Sequence, residues 1–292
     1  LPVKAAPANE TLLLRICEYL DTNVEKRLQF EDIQKEFATL SDKKKMAKHE
    51  KFYKEYFLRG GEPFYAGVHG PALLEKFRKK KKDPNLRVPP VYNPLHDKCN
   101  MINGHIGTED AEKIFNYCRQ NSIAPESLFL LGIRCHVSAI NYRTKDVFMM
   151  VNCSKRATVS EKRMSGCVTQ PLQVRTVIDE DASFREALGE ITRVRTQLYR
   201  HAEFPYVKAL AMSREIYGYS PLQGPACMMF SWIPVPIDLD SFGLKFDFKT
   251  YDLGRYFTPL YTICSPDPTD NGINLNYMYR VKLSKPEDIE IL

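Results

Sequence analysis

The sequence predicts a mixed α/β (α+β) two-layer sandwich. Three features predict it: helical apolar periodicity at the front of the chain, helices interleaved with strands through the middle, and a closing third rich in strand-like runs. That order suits a sheet covered by helices better than a doubly wound parallel sheet. The 292 residues, 43% of them hydrophobic, suffice for one large core or two smaller lobes. Neither GxGxxG nor a phosphate-cradling GxxxxGK[ST] occurs, so nucleotide-binding readings have no motif to rest on.

The elements follow in order. Residues 11–20, TLLLRICEYL, place Leu12, Leu13, Ile16, Tyr19 and Leu20 at helical spacing behind Thr11, a capping residue. Phe30, Ile33, Phe37 and Leu40 mark a second helix. A third spans residues 43–58, with Phe52, Tyr53, Tyr56 and Phe57 on one side, and stops at Gly60 and Gly61. Residues 62–94 are rich in Gly, Pro and Lys and read as an irregular connector between lobes, which divides the chain into 1–94 and 95–292. Thr108 with Glu109 and Asp110 starts a helix that continues to about Arg119. Pro125 opens a longer apolar helix to Ile140. Residues 146–151 and 171–178 read as strands. Ser183 caps a helix that reaches about His201, and Pro205 opens a shorter one. Residues 226–233, 244–250, 257–264 and 273–279 are strand candidates, and a last helix follows Ser284.

Charge and cysteine usage bound the function. Lys and Arg number 42 against 36 Asp and Glu, a net charge of +6, much of it in residues 78–82. That run has no aromatic stacking platform and no recognition motif beside it, so it reads as a solvated loop and nucleic acid is not expected as a partner. The eight cysteines are scattered, without CxxC or metal-like spacing, and read as buried free thiols. No run approaches the apolar length of a membrane helix, and residues 1–8 carry no leader pattern, so a soluble, cytoplasmic protein with no membrane partner is expected.

Five segments in consistent order then carry a resemblance. They are residues 121–131 (NSIAPESLFLL), 141–147 (NYRTKDV), 164–175 (MSGCVTQPLQVR), 181–188 (DASFREAL) and 201–207 (HAEFPYV). The third is similar to an IGxFVNTLxLR segment, with Gly166, Leu172 and Arg175 in register. The fifth is similar to HQDVPFE, keeping His201 and Pro205. From Asn103 onward the chain resembles the second lobe of nonribosomal-peptide condensation domains, in the chloramphenicol-acetyltransferase-like superfamily. Residues 11–20 and 51–58 resemble helices of the partner lobe. The resemblance implies a chloramphenicol-acetyltransferase-like lobe at 95–292 behind a helical remnant of the other lobe and an inter-lobe linker at 1–94.

The departures bear on chemistry. The family's HHxxxDG motif would fall near residues 3–9, which read VKAAPAN, and no catalytic residue is expected in this chain. Gln170 and Pro171 replace the family's Asn and Thr. Arg156, in NCSKR, stands where the family has an arginine that pairs with the motif's aspartate; it is a lobe-lobe or active-site support candidate. Gly166, Arg175, His201 and Pro205 are structural positions by the same resemblance. A substitute base must reach the proton it removes. His105 reads as a strand histidine entering a helix, His136 as a satisfied core histidine, and His49 and His96 as solvated. His69 lies in a Gly-rich loop where a role stays open. Cys167 has no adjacent base in sequence. Asp267 and Asp270 read as turn residues, and no metal site is expected.

The implied activity is amide-forming acyl transfer between carrier-protein thioesters, with the catalytic motif absent from this chain. One alternative is a non-catalytic condensation-like module that binds a carrier protein or a tailoring enzyme. Another is a stand-alone acyltransferase of the same superfamily. The partners implied are carrier protein domains, to which a weakly basic surface is suited, and the N-terminal lobe or neighbouring synthetase domains. No cofactor is implied beyond the phosphopantetheine arms that carry the substrates.

Overall fold

A computed structural model describes residues 42–89, 98–156, 169–220, 223–234, 251, 254, 256 and 258–290. The helices expected at 11–20 and 30–40, the strand at 244–250, residues 3–9, and Cys17, His96, Gly166 and Cys167 lie outside the described residues. So does the expected lobe boundary between 94 and 95. The chain divides into two compact units, residues 1–48 with 154–169 and residues 49–153 with 170–292. The second is largely described and is the subject below.

Seven helices and a six-stranded sheet make up the described residues. The order is α1 (Lys43–Leu58), β1 (Val68–Pro71), α2 (Ala72–Lys81), β2 (Cys99–Ile106), α3 (Thr108–Gln120), α4 (Pro125–Ile140), β3 (Asp146–Ser154), β4 (Thr169–Val177), α5 (Phe184–Tyr199), α6 (Tyr206–Tyr217), β5 (Met228–Trp232), β6 (Leu260–Pro266), β7 (Ile273–Arg280) and α7 (Pro286–Glu290). The mixed α/β class expected from the sequence is the class observed. Strands run β2-β7-β6-β5-β3-β4 across the sheet. β2 and β7 pair antiparallel over their whole length, as do β6 and β7, whereas β5 lies parallel to both β3 and β6.

Composition explains that arrangement. Parallel strands are covered on both faces and need near-continuous apolar runs. β3 supplies one, with Val147, Phe148, Met149, Val151 and Cys153 all buried, and β5 adds Met228 and Phe230. β2, at the sheet edge, alternates half-buried and exposed residues instead. Pro125 sits in the first turn of α4, where its missing N–H costs nothing. A capping box closes the start of α5: the Glu186 backbone N–H donates to Ser183 Oγ, and the Ser183 N–H donates to the Glu186 carboxylate. α5 packs on α4, and Arg195 of α5 ties the two by donating to Ser127 Oγ at 2.5 Å and pairing with Glu126.

One buried cluster joins the front of this unit to the sheet. Helix α1 stops at Leu58, and Gly60 and Gly61, both at positive φ, turn the chain away from it. Arg175, from β4, donates to the carbonyls of that turn. Its Nη1 donates to the carbonyls of Gly61 at 2.7 Å and Arg59 at 3.2 Å, and its Nη2 to that of Gly60 at 3.3 Å. The same guanidinium grips Asp146 at the start of β3 with two parallel bonds, Nε to Oδ1 at 2.9 Å and Nη2 to Oδ2 at 2.6 Å. Asp146 in turn accepts the Phe64 N–H at 3.1 Å. Tyr56 adds a second tie: its Oη donates to the Gln173 carbonyl at 2.9 Å and accepts from the Arg175 N–H at 2.7 Å.

The expectation of an irregular connector at 62–94 is corrected by β1 and α2, both of which fall inside it. Four-residue β1 has no periodicity to read. It is held by Asn141, whose Oδ1 accepts the Gly67 N–H at 3.0 Å while its Nδ2 donates to the Gly67 carbonyl at 2.7 Å. The lysine run, expected in a loop, forms the end of α2, where positive charge opposes the helix dipole; Lys82 closes it in the left-handed region. Gly70 also needs that region (φ +66°), and a Cβ there would stand 2.7 Å from the Ile140 carbonyl oxygen.

Two consequences are measurable. Asp146→Ala strands a buried guanidinium, and urea unfolding is expected to show a loss of about 3 kcal/mol. Gly70→Ala is expected to cost more than about 1 kcal/mol, read as a lowered thermal midpoint.

Candidate functional site

A cavity of about 460 Å³ opens within this unit. Its walls follow the two periods of secondary structure. Phe148, Met150 and Asn152 are alternate residues of β3, and Pro171 and Gln173 are alternate residues of β4, so each set lines one sheet face. Tyr206, Leu210 and Arg214 are spaced by four along α6 and line one helix face. Met229 of β5 sits in register with Met150. Tyr65, Leu73 and Pro89 close another side, so the segment expected to be a mere connector forms part of the wall.

The lining is mostly apolar, and several of its polar groups are committed. The Tyr206 Oη donates to Met150 Sδ at 3.2 Å, and the Asn152 Nδ2 donates to Ser231 Oγ at 2.9 Å and Tyr261 Oη at 3.0 Å. Ser213 Oγ donates to Gln173 Oε1 at 3.0 Å, and Arg214 Nε to the Gln223 carbonyl at 2.8 Å. Burial pushes the Tyr206 phenol up, against the pull of Arg214. Among the described residues that line it there is no imidazole, carboxylate or thiol. Such a cavity can hold and orient an apolar group; its described side chains offer no strong base.

Of the residues singled out by sequence, Pro171 lines this cavity, while Arg175, Arg156, Pro205 and His201 fall around it. Arg175 is the clasp described above. Arg156 follows β3, its N–H 3.4 Å from Ser154 Oγ. Pro205 is the N-cap of α6, one residue before the cavity-lining Tyr206. His201 lies just beyond α5, stacked on Phe52 with ring centroids 3.8 Å apart. Its Nδ1 meets Nδ1 of His49 at 2.9 Å. This corrects the expectation that His49 is solvated: it is 6% exposed. The surrounding lysines hid that in the sequence, because α1 turns them outward and His49 inward. The Nδ1 to Nδ1 bond requires one ring to accept, so at least one stays neutral while it persists.

His69 is in β1, not a loop, and its Nε2 bonds Ser284 Oγ. Burial lowers its pKa, with Asp288 opposing. His136 is half-buried on α4 rather than in the core, and burial lowers its pKa too. Cys118, Cys153, Cys227 and Cys264 are buried and Cys99 half-buried, but Cys135 is exposed.

His105 lies on β2, as expected, beside Asp267 and Asp270; their ligand-capable atoms all lie within 4.8 Å of one another. The carboxylates serve the turn: Asp267 Oδ1 accepts the Thr269 N–H and Asp270 Oδ1 the Gly272 N–H, each at 2.8 Å. Asp270 Oδ2 bonds His105 Nε2 at 2.8 Å. That bond, ahead of the other contributions, holds the His105 pKa above its ordinary 6.5. Sequence reasoning missed Arg214 and Tyr206, although the spacing of Tyr206, Leu210 and Arg214 was there to find.

Among the described residues no single helix is long and apolar enough to cross a membrane. No family model and no curated protein matches the sequence. Solved structures do match. The condensation domain of the monacolin K polyketide synthase MokA aligns over 90% of this chain and 58% of its own, with a TM-score of 0.63 and 15% identity. The first condensation domain of the calcium-dependent antibiotic synthetase, in complex with a substrate analogue, aligns over 89% and 52%, with 0.61 and 12%. The X-domain from teicoplanin biosynthesis, in complex with OxyB, aligns over 90% and 55%, with 0.62 and 12%. The chain therefore has a condensation-domain fold and spans between half and three-fifths of these relatives' length.

An NMR titration is expected to place the His105 midpoint above 6.5 and to show it falling in Asp270→Asn. The sign follows: a raised folded pKa gives stability that is full below the unfolded value and is lost as pH rises through the folded midpoint.

Proposed function

We propose that this chain works in nonribosomal peptide synthesis as part of a condensation domain. In this reading its cavity holds the acyl group that a carrier protein presents on a phosphopantetheine arm. An amine attacks the thioester carbonyl, the carbon–sulfur bond breaks as the amide forms, and the amine proton leaves with the thiol. The chain contributes positioning, which alone can supply much of such a rate. Proton handling falls to an HHxxxDG motif outside this sequence. The partners are carrier protein domains and neighbouring synthetase domains, the setting is cytoplasmic, and no resident cofactor is needed. The observation that carries the reading is an apolar cavity built on paired parallel strands, within a condensation-domain fold.

A second reading has one observation in its favour. A solved structure with this fold is an X-domain in complex with OxyB. In that case the chain is a non-catalytic module that recruits a tailoring enzyme or binds a carrier protein.

Thermophoresis with a peptidyl carrier protein in apo, pantetheinylated and octanoyl-pantetheinylated forms separates the two. The first reading predicts octanoyl-loaded carrier binding at least about tenfold tighter than apo carrier, the gain expected from burying two methylenes. Met150→Trp, which fills the cavity, is expected to abolish that increment and leave apo binding intact. Equal affinity for all three forms contradicts the first reading and favours the second.

A further inference from the structure

The cavity's lining is apolar, yet two of its side chains carry uncommitted donors. Arg214 is half-buried against it, and its one hydrogen bond among the described residues runs from Nε to the Gln223 carbonyl. No carboxylate among the described residues forms an ion pair with it, and its two terminal nitrogens find no acceptor there. A guanidinium has five donors in a planar fork made for carboxylate geometry. Desolvation pulls its pKa down, with Tyr206 opposing. Gln173 is 2% exposed. Its Oε1 is taken by Ser213, the neighbour of Arg214 on α6, while its Nε2 has no partner. The buried arginines of this unit each place terminal nitrogens on an acceptor: Arg175 on Asp146, Arg195 on Glu126, Arg134 on the Lys145 and Ile178 carbonyls, and Arg280 on the Tyr256 carbonyl.

We propose that the cavity is a site for an apolar chain ending in a carboxylate. Arg214 takes the carboxylate with its terminal nitrogens, Gln173 adds a second donor, and Phe148, Met150, Leu210 and Met229 enclose the chain. The inference deepens the acyl-holding reading and rests on it only for how the ligand arrives. On a carrier arm the thioester stays at the arm, so the carboxylate is the distal end of the acyl group, as in a dicarboxylic half-thioester. An acyl group with an apolar or cationic end leaves both donors unpaired, and a neutral hydroxyl end meets them without the charge, which is a basis for selectivity.

Calorimetry on the full chain with octanoate, octanol and octylamine tests it. Octanoate is expected to bind at least about tenfold tighter than octanol, as a charge-assisted bidentate bond allows, and octylamine weakest. Arg214→Met is expected to bring octanoate down to the affinity of octanol and leave octanol unchanged. Arg214→Lys keeps the charge without the fork and retains part of the preference, which keeps the test open if the Met variant does not fold. Octanoate binding no tighter than octanol, or a preference that survives in Arg214→Met, overturns the proposal, as does absence of binding by all three ligands. Loss of the carrier-protein increment with the octanoate preference intact overturns only the acyl-transfer reading.

Discussion

The buried pairing of Arg175 with Asp146 is the constraint on which the rest of this unit depends. One guanidinium meets three needs at once: it holds the carbonyls of the turn that follows α1, fixes the start of β3, and anchors β4. Ion pairs of this kind are poor sources of net stability but severe penalties when half-removed. Their value lies in permitting one arrangement. Here that arrangement brings residues 59–64 against the sheet, and with them Tyr65, Leu73 and Pro89, which close the cavity.

Shape and chemistry of the cavity follow from the same economy of elements. Parallel pairing of β3 with β5 demands apolar residues on both faces, so the face turned to the cavity is apolar by necessity. α6 then adds one stripe of mixed character, Tyr206, Leu210 and Arg214, and with it the cavity's one cation among the described residues. In the proposed function the walls confine and orient the acyl group, and holding two reactants together is the larger part of amide formation from a thioester.

Much of this was legible in the sequence, because it was written in local chemistry. Pro125, the Ser183 cap, and the Gly60 and Gly61 stop each fixed a helix end through backbone donors and acceptors within a few residues. What escaped was set by distant partners. β1 has four residues and exists because Asn141 grips Gly67 and because Gly70 adopts a left-handed conformation. His49 lies among lysines in sequence but faces His201, 152 residues away. Arg175 was legible as a position through resemblance to a family segment; its partner Asp146 was not, since nothing local links them. Arg214 was legible as the last member of a stripe spaced by four with Tyr206 and Leu210.

The central claim is that the Arg175 clasp holds the cavity wall in place. Hydrogen exchange on Asp146→Asn, a variant that keeps the side chain's shape and removes its charge, tests this most directly. The account predicts faster exchange in residues 56–74 and in β4 together, with α3 unchanged. Exchange that is unaltered, or faster by the same factor throughout the unit, would contradict it.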